Sequence, residues 1–319
     1  MIGQTLRLKV AALTDIAPSL RHVRLVAADG GKLPPAAAGA HIQLVLAGPG
    51  RSFRNAYSLV SRPGARDAWD IIVRRVPASR GGSAYIREAL QAGDTLEASW
   101  PGNLFAPVRT ARRHLMIAGG IGITPFLSYL ADFAMSGGEH ALHVCCREEE
   151  KDVFAPWLAG RSGVAFHWDA DGHRLDIPAL LAAQPAGTHL YVCGPAGFID
   201  HVVTTAKALG WAQDHIHLEY FGAPAHDTSG DQGFEVRIAS TGKVYPIAPD
   251  VSVVEALRKE GIDILTSCEQ GVCGTCLTRV LEGEVDHRDM YLTDEEKAAN
   301  EQFMPCCSRA RSKLLVLDL

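Results

Sequence analysis

A chain of 319 residues is longer than one ordinary hydrophobic core supports, so two or three domains are expected. With 47% hydrophobic and 21% charged residues it reads as globular, and a net charge of −5 offers no basic face for nucleic acid. No apolar run reaches the length of a membrane span, and MIGQTLRLKVAALTD alternates like a strand rather than a signal peptide, so a cytoplasmic protein without membrane contact is expected.

Residues 1–107 carry short alternating runs, LRLKVAAL, SLRHVRLVAA, AHIQLVLAG, WDIIVRRV and DTLEASW, punctuated by Gly, Pro, Asp and Asn. This texture predicts a small antiparallel barrel, interrupted by one helix over SAYIREALQAG. From 108 to 222 strands alternate with helices. HLMIAGG, ALHVCCR, VAFHWDA, HLYVCG and HIHLEYF have strand length, while PFLSYLADFAMSGG and PAGFIDHVVTTAKALG have helical spacing. That alternation predicts a parallel sheet covered by helices. APAHDTSGDQG at 223–233 reads as a linker. Residues 234–319 then open with a hairpin, FEVRI and KVYPI around STG, and a helix at 252–260 with Ser252 and Glu255 as a capping box.

Three of the eight cysteines lie in CEQGVCGTC, and the spacing C-x4-C-x2-C at Cys268, Cys273 and Cys276 is followed by 29 residues and Cys306. This is the spacing of a plant-type [2Fe–2S] site. Glycines between the cysteines let backbone N–H groups approach the sulfurs without Cβ clashes. A structural zinc site more often uses two short Cys pairs, which fits the isolated fourth cysteine less well.

Two glycine turns follow strands and open helices. GGIGITP supplies Gly119, Gly120 and Gly122, with Thr124 as N-cap and Pro125 at the first helical position; CGPAG supplies Cys193, Gly194 and Pro195. Two such turns in one α/β sheet make the crevice where dinucleotides bind, though close packing of strand on helix asks for the same glycines. Arg147 precedes Glu148, Glu149 and Glu150, a carboxylate run that would repel a 2′-phosphate and so favours NADH over NADPH. SRGGS, with Arg80, Gly81, Gly82 and Ser83 opening a helix, offers a phosphate cradle.

The order of these motifs carries a resemblance. Residues 234–319 resemble plant-type ferredoxins, which implies Cys306 rather than Cys307 as fourth ligand and a β-grasp fold. The two glycine turns and Glu219-Tyr220-Phe221 resemble the nucleotide domain of the ferredoxin-NADP reductase superfamily, and RNAYSL at 54–59 resembles its flavin motif. There the arginine stands two residues before the tyrosine, a position occupied here by Asn55. Either Arg54 still reaches the phosphate or Asn55 substitutes for it.

The whole chain resembles the phthalate dioxygenase reductase family, which includes vanillate demethylase reductases. The resemblance implies FMN rather than FAD, held by Arg54, Asn55, Ala56, Tyr57, Ser58, the strand backbone at Ile72, Val73 and Arg74, and the 80–83 cradle. Ser58 would meet flavin N5, Phe221 would cover the ring, Cys193 would shape the nicotinamide site, and Glu219 would lie beside the flavin. Implied too is a relay from NADH through flavin and cluster, one electron at a time, to a separate Rieske-type oxygenase that docks transiently on a monomer. A di-iron hydroxylase is the alternative partner, and a stand-alone flavin oxidoreductase the alternative activity. Glu269, Gln270 and Val272 are candidate contact residues for the acceptor.

Overall fold

The computed structural model describes residues 5–48, 51–76, 81–170, 172–222 and 230–319. It divides into two compact units, Met1–Phe221 and Gly222–Leu319. Among the described residues no helix is long and apolar enough to cross a membrane.

The first half of the larger unit is an antiparallel sheet of β1 (Leu6–Ala17), β2 (Leu20–Ala27), β3 (His41–Gly48), β4 (Arg51–Ser58), β5 (Trp69–Arg74) and β6 (Thr95–Ala98), with α1 (Gly82–Glu88) before β6. The strand order is β4-β3-β6-β1-β2-β5, and the end strands β4 and β5 approach each other, rolling the sheet into a barrel. Alternate residues point inward, as the period of two requires: Leu8 and Val10, Val23 and Leu25, Ile42 and Leu44 are fully buried in one core with Trp69 and Ile71. Strand β4 is an addition to the sequence reading, where RNAYSL stands only as a motif.

The second half alternates strands and helices. They are β7 (Arg113–Gly119), α2 (Thr124–Ser136), β8 (His140–Cys145), α3 (Glu148–Leu158), β9 (Val164–His167), α4 (Ile177–Ala182), β10 (Thr188–Gly194), α5 (Ala196–Ala208) and β11 (Ile216–Tyr220). All five strands are parallel in the order β11-β10-β7-β8-β9. The order reverses between β7 and β10, so the carboxyl ends of these two strands form the switch point where ligands bind in open α/β sheets.

One local expectation changes here. Thr124 does not cap α2: the chain enters the helix through a 3-10 turn at Gly120–Ile123, and the Thr124 hydroxyl donates back to the Ile121 carbonyl at 3.1 Å. The carboxylate run forms the first turn of α3, where Glu148, Glu149 and Glu150 meet the positive end of the helix dipole. Phe154 and Leu158 bury the inner face of that helix. Helix α4 is short and is capped by Asp176, which accepts from the Ala179 N–H. Barrel and α/β layer share a core in which Leu20, Val60 and Ile72 pack with Phe126, Tyr129 and Tyr191.

The smaller unit contains β12 (Phe234–Ile238), β13 (Val244–Ile247), α6 (Val253–Lys259), β14 (Thr278–Glu282), β15 (Val285–Asp286), α7 (Asp294–Ala299), β16 (Gln302–Phe303), β17 (Arg309–Ala310) and β18 (Leu314–Leu317). Its main sheet runs β13-β12-β18-β14-β16, with β12 and β18 parallel, and Val253 and Leu257 of α6 pack into the core over it, a β-grasp arrangement. Ser252 caps α6 by accepting from the Glu255 N–H at 3.1 Å, but the Glu255 carboxylate turns to Lys259 instead of closing the expected box. The complete box is at α7, between Thr293 and Glu296.

Histidines cross the parallel sheet in pairs. His143 Nδ1 lies 2.9 Å from His167 Nε2, and His189 Nδ1 lies 2.9 Å from His217 Nε2. Burial pushes His114 and His143 down to about 4 and also lowers His167, His189 and His217. These rings stay neutral in the folded chain and take up protons on unfolding. Their contribution is therefore complete above the ordinary histidine value of 6.5 and lost as pH falls toward about 4. The melting temperature is expected to drop steadily across that window, and His143→Gln should flatten the slope. A melting curve whose pH dependence is the same in wild type and variant would contradict this.

Candidate functional site

The flavin motif lies on the end strand β4. Asn55 and Tyr57 are alternate residues and share a face, where Asn55 Nδ2 donates to Tyr57 Oη at 3.1 Å. A methyl group at Gly82 would meet Asn55 Nδ2 at 2.4 Å, so Asn55 lies against the first turn of α1. Arg54 and Ala56 alternate to the other side of the strand. Asn55 Oδ1 is buried with no hydrogen-bond partner, a polar atom that a bound group would satisfy. Ser58 at the strand end is nearly covered.

Strand β5 is the other end strand, paired with β2 along one edge, and Ile72 and Val73 are buried there. Gly81 caps α1 with φ of 123°, followed by the buried Gly82 and Ser83. Ser83 Oγ accepts from the Val76 N–H at 3.2 Å. Arg80 lies outside the described residues.

At the switch point the two glycine turns touch backbone to backbone. A methyl group at Gly122 would meet the Cys193 carbonyl oxygen at 2.2 Å, and one at Gly194 would meet the Gly119 Cα at 2.9 Å. One at Gly119 would strike Pro195 Cδ at 2.9 Å. Of the five glycines in the two turns, Gly119, Gly122 and Gly194 are thus explained by the contact between turns rather than by a ligand. Gly120 differs: its φ is +52°, and the nearest atom to an added methyl would be Arg74 Nη2 at 3.5 Å. Arg74 reaches this point from the end of β5 and pairs with Glu150 of α3 at 2.5 Å. The guanidinium therefore joins barrel edge, glycine turn and nucleotide-side helix.

Pro125 and Thr124 are buried in the first turn of α2, and Pro195 leads into α5. Cys193 is fully buried, and burial holds its thiol protonated. Directly across from it on β11 is Glu219. The residue keeps some exposure, but its Oε2 is enclosed without a partner, and burial pushes the carboxyl up to about 8. Phe221, one residue past β11, keeps 37% of its surface exposed. Arg147 is exposed at the start of α3.

In the smaller unit the four predicted ligands come together two by two. The Cys268 and Cys273 thiols interact, as do those of Cys276 and Cys306. Backbone N–H groups surround the sulfurs: Gln270 and Val272 donate to Cys268, with Gln270 N 3.3 Å from Sγ, and Gly271 donates to Cys306. The hydrogen bond with Cys268 holds Cys273 below the ordinary thiol value and favours its thiolate, and Thr275 Oγ1 lies 3.2 Å from its Sγ. Among the described residues no three ligand-type side chains meet at a single metal-ion position. These four thiols would hold a [2Fe–2S] cluster, and the N–H donors are the partners such a negatively charged group would need.

Gly271 and Gly274 have φ of +74° and +75°; a Cβ at the first would meet Cys307 Sγ at 2.4 Å and at the second the Tyr291 ring at 2.3 Å. Cys307 thus packs on Gly271, while Cys306 is buried toward Cys276. The expectation that Glu269 faces a partner is corrected. Its carboxylate accepts from Arg258 at 2.7 Å and Thr266 at 2.9 Å and is only 13% exposed, which pins a residue of positive φ to α6. Gln270 and Val272 are half-covered. Arg258 and Thr266 have no motif that would have found them.

Comparison with known proteins agrees with this geometry. Residues 236–311 match the 2Fe-2S iron-sulfur cluster binding domain family, and residues 101–216 match the N-terminal domain of dimethylamine monooxygenase subunit DmmA-like proteins. The chain is 47% identical to a vanillate O-demethylase oxidoreductase of Pseudomonas sp. (strain HR199 / DSM 7063), covering 97% of this chain and 98% of that one. It is 38% identical to a carnitine monooxygenase reductase subunit of Escherichia coli (strain K12), over 99% of both. The solved structure of phthalate dioxygenase reductase, described as modular for electron transfer from pyridine nucleotides to [2Fe–2S], superposes with a TM-score of 0.86 at 34% identity, covering 99% of this chain and 98% of that one. Matched over nearly its whole length, the chain belongs to the family of phthalate dioxygenase reductase and the vanillate O-demethylase oxidoreductases, iron–sulfur flavoprotein oxidoreductases.

Proposed function

We propose that this chain is the reductase component of an oxygenase system, carrying electrons from NADH through FMN and a [2Fe–2S] cluster to a separate terminal oxygenase. The observation that carries the proposal is the nest of paired thiols ringed by N–H donors, in a chain that also brings two glycine turns together at a sheet switch point. When bound, a flavin takes an electron pair from a nicotinamide and releases it singly, which is what a two-iron cluster can accept. The protein's part is to hold, orient and insulate.

We assign the flavin unit to 1–107, the nucleotide unit to 108–222, a linker to 223–233 and the cluster unit to 234–319. In the first, the buried Ser58 hydroxyl faces the reactive edge of the ring, and Asn55 with the first turn of α1 takes the phosphate end. Peptide groups on the open edge of β5 meet the ring's polar rim. At the switch point Arg74 beside Gly120 supplies the cation for the dinucleotide's diphosphate, and Phe221 covers the ring face. Cys193 sets the floor of the nicotinamide site as an uncharged thiol, and Glu219 stands there as a neutral acid at physiological pH. Exposed Glu148 and Glu149 favour a free ribose over its 2′-phosphate. Similar proteins are named for an O-demethylase, a monooxygenase and a dioxygenase, which supports an oxygenase acceptor of the Rieske type working on a small aromatic or related substrate. The encounter is transient and the chain a monomer.

Cys306→Ser is expected to lose the cluster's visible and EPR signals yet still reduce ferricyanide with NADH, whereas Cys307→Ser keeps the cluster; the reverse pattern would exchange the two ligands. Asn55→Ala should raise the flavin dissociation constant about tenfold, the scale of one or two lost hydrogen bonds. Arg54→Ala should change it less than about threefold, and a larger effect there would return the phosphate to the arginine. Steady-state kcat/KM should favour NADH over NADPH, and equal values would remove the role given to Glu148 and Glu149.

A further inference from the structure

His287 follows β15 in the smaller unit, and its side chain is only 10% exposed. Both ring nitrogens are buried, and neither has a hydrogen-bond partner among the described residues. Buried polar atoms are nearly always satisfied, so a ring with two orphaned nitrogens needs a physical cause. Asp289 stands beside it with a fully buried side chain, its Oδ1 3.6 Å from His287 Nδ1. That separation is too long for a hydrogen bond but short enough for an ion pair once the ring is protonated. Burial lowers His287 below the ordinary histidine value; Asp289 opposes that shift, while Lys297 and Arg311 add to it. The remaining charges of this wall are paired among themselves, Arg288 with Asp231 and Asp286, and Arg311 with Glu284.

Asp289 is held from several sides. Its Oδ2 accepts from the N–H groups of Tyr291 at 3.1 Å and Leu292 at 2.8 Å, and Ser308 Oγ donates to Oδ1 at 3.4 Å. Lys297 donates to its carbonyl at 2.9 Å. The same segment is laced to the cysteine loop. The Met290 N–H donates to the Gly271 carbonyl at 3.0 Å, and the Gly271 N–H in turn donates to Cys306. The Arg288 N–H donates at 3.1 Å to Ser308, two residues beyond Cys306, and a Cβ on Gly271 would stand 3.3 Å from Asp289 Cα. Residues 288–290 therefore back onto the segments that carry the thiols. A charge added to the thiol nest is felt in such a covered region over distances that water would screen.

We propose that His287 is the proton acceptor linked to cluster reduction, with Asp289 as the residue that positions it: as a [2Fe–2S] cluster on the four thiols takes one electron, the ring takes one proton from solvent, and it returns that proton on reoxidation. The inference rests on the cluster of the proposed function and on no other part of the relay. Electron and proton arrive together, so the net charge of the covered region is the same before and after. The orphaned nitrogens belong to the oxidised state, and the protonated ring gains the Asp289 carboxylate as its counter-ion. Linkage fixes the sign. An electron on the cluster raises the ring's affinity for a proton, so a proton on the ring must raise the cluster's affinity for an electron. The reduction potential is therefore higher at low pH and falls as pH rises.

Redox titration of the holoprotein at a series of pH values tests this, with the cluster followed by its own EPR signal apart from the flavin's. The wild-type midpoint should fall between about pH 5 and about pH 8, the range in which histidine titrates, and then level off. At a fixed potential in that range, the ratio of reduced to oxidised cluster should drop by up to about tenfold per pH unit, the limit for one proton per electron. His287→Gln should keep the EPR signal and give a midpoint that no longer depends on pH. If that variant cannot hold its cluster, Lys297→Met decides: loss of a cation that opposes protonation should move the falling region to higher pH. A wild-type holoprotein with no [2Fe–2S] signal would remove the cluster itself. With the cluster present, a wild-type midpoint that ignores pH overturns the proton acceptor. So does a slope that survives in His287→Gln, or an unmoved region in Lys297→Met.

Discussion

Both candidate sites depend on one steric constraint: a backbone can touch another backbone, a ring or a sulfur only where no Cβ stands between them. At the switch point Gly122 lies against the Cys193 carbonyl and Gly194 against Gly119, at separations that a methyl group would turn into overlap. In the cysteine loop Gly271 lies against Cys307 and Gly274 against the Tyr291 ring, both with positive φ. Close approach brings two strand ends into a single crevice in one case. In the other it turns N–H groups inward on sulfur. Glycine does structural work at both, and the ligand-binding consequences follow from the surfaces that the contacts create.

The charge pattern is set by what those contacts enclose. Cys193 and Glu219 face each other across neighbouring strands, and burial keeps both protonated. That makes this end of the crevice neutral. Arg74 is held by Glu150 beside Gly120, the one glycine of the first turn with room around it. The thiol nest is the opposite case. There the donors are fixed peptide dipoles rather than cations, and they lower the cost of negative charge on sulfur without placing a competing side chain among the ligands.

Legibility in the sequence followed periodicity and spacing. The strands ending in GGIG and CGP, helices α2 and α5, the β12–β13 hairpin and the four thiol positions were readable because each is local, either a run of buried residues or a fixed interval. The features that were not readable have other causes. Strand β4 is polar, and its alternation of Arg54, Asn55, Ala56 and Tyr57 has no apolar stripe to announce it. Helix α3 carries its acidic first turn and Pro156 more visibly than its buried Phe154 and Leu158. Thr124 has the composition of a cap, but the preceding 3-10 turn already winds the chain, which leaves its hydroxyl to bond backward. The Arg54–Asn55 ambiguity is a matter of which strand face meets α1, a fact of register that only the folded chain contains.

Long-range ion pairs are the extreme of this limit. Asp231 and Arg288 are 57 residues apart, and neither belongs to a motif. The aspartate lies in a stretch whose glycine and polar composition reads as linker. Composition describes what a segment could do alone, whereas a bidentate contact that excludes water depends on a surface assembled from β15, β17 and the chain around them. A segment can therefore be a linker by sequence and part of a folded unit by structure, and the boundary between the two lies where desolvation becomes worthwhile rather than where composition changes. Here Asp231, which the polar stretch would assign to a linker, is held in the folded unit ahead of its first strand.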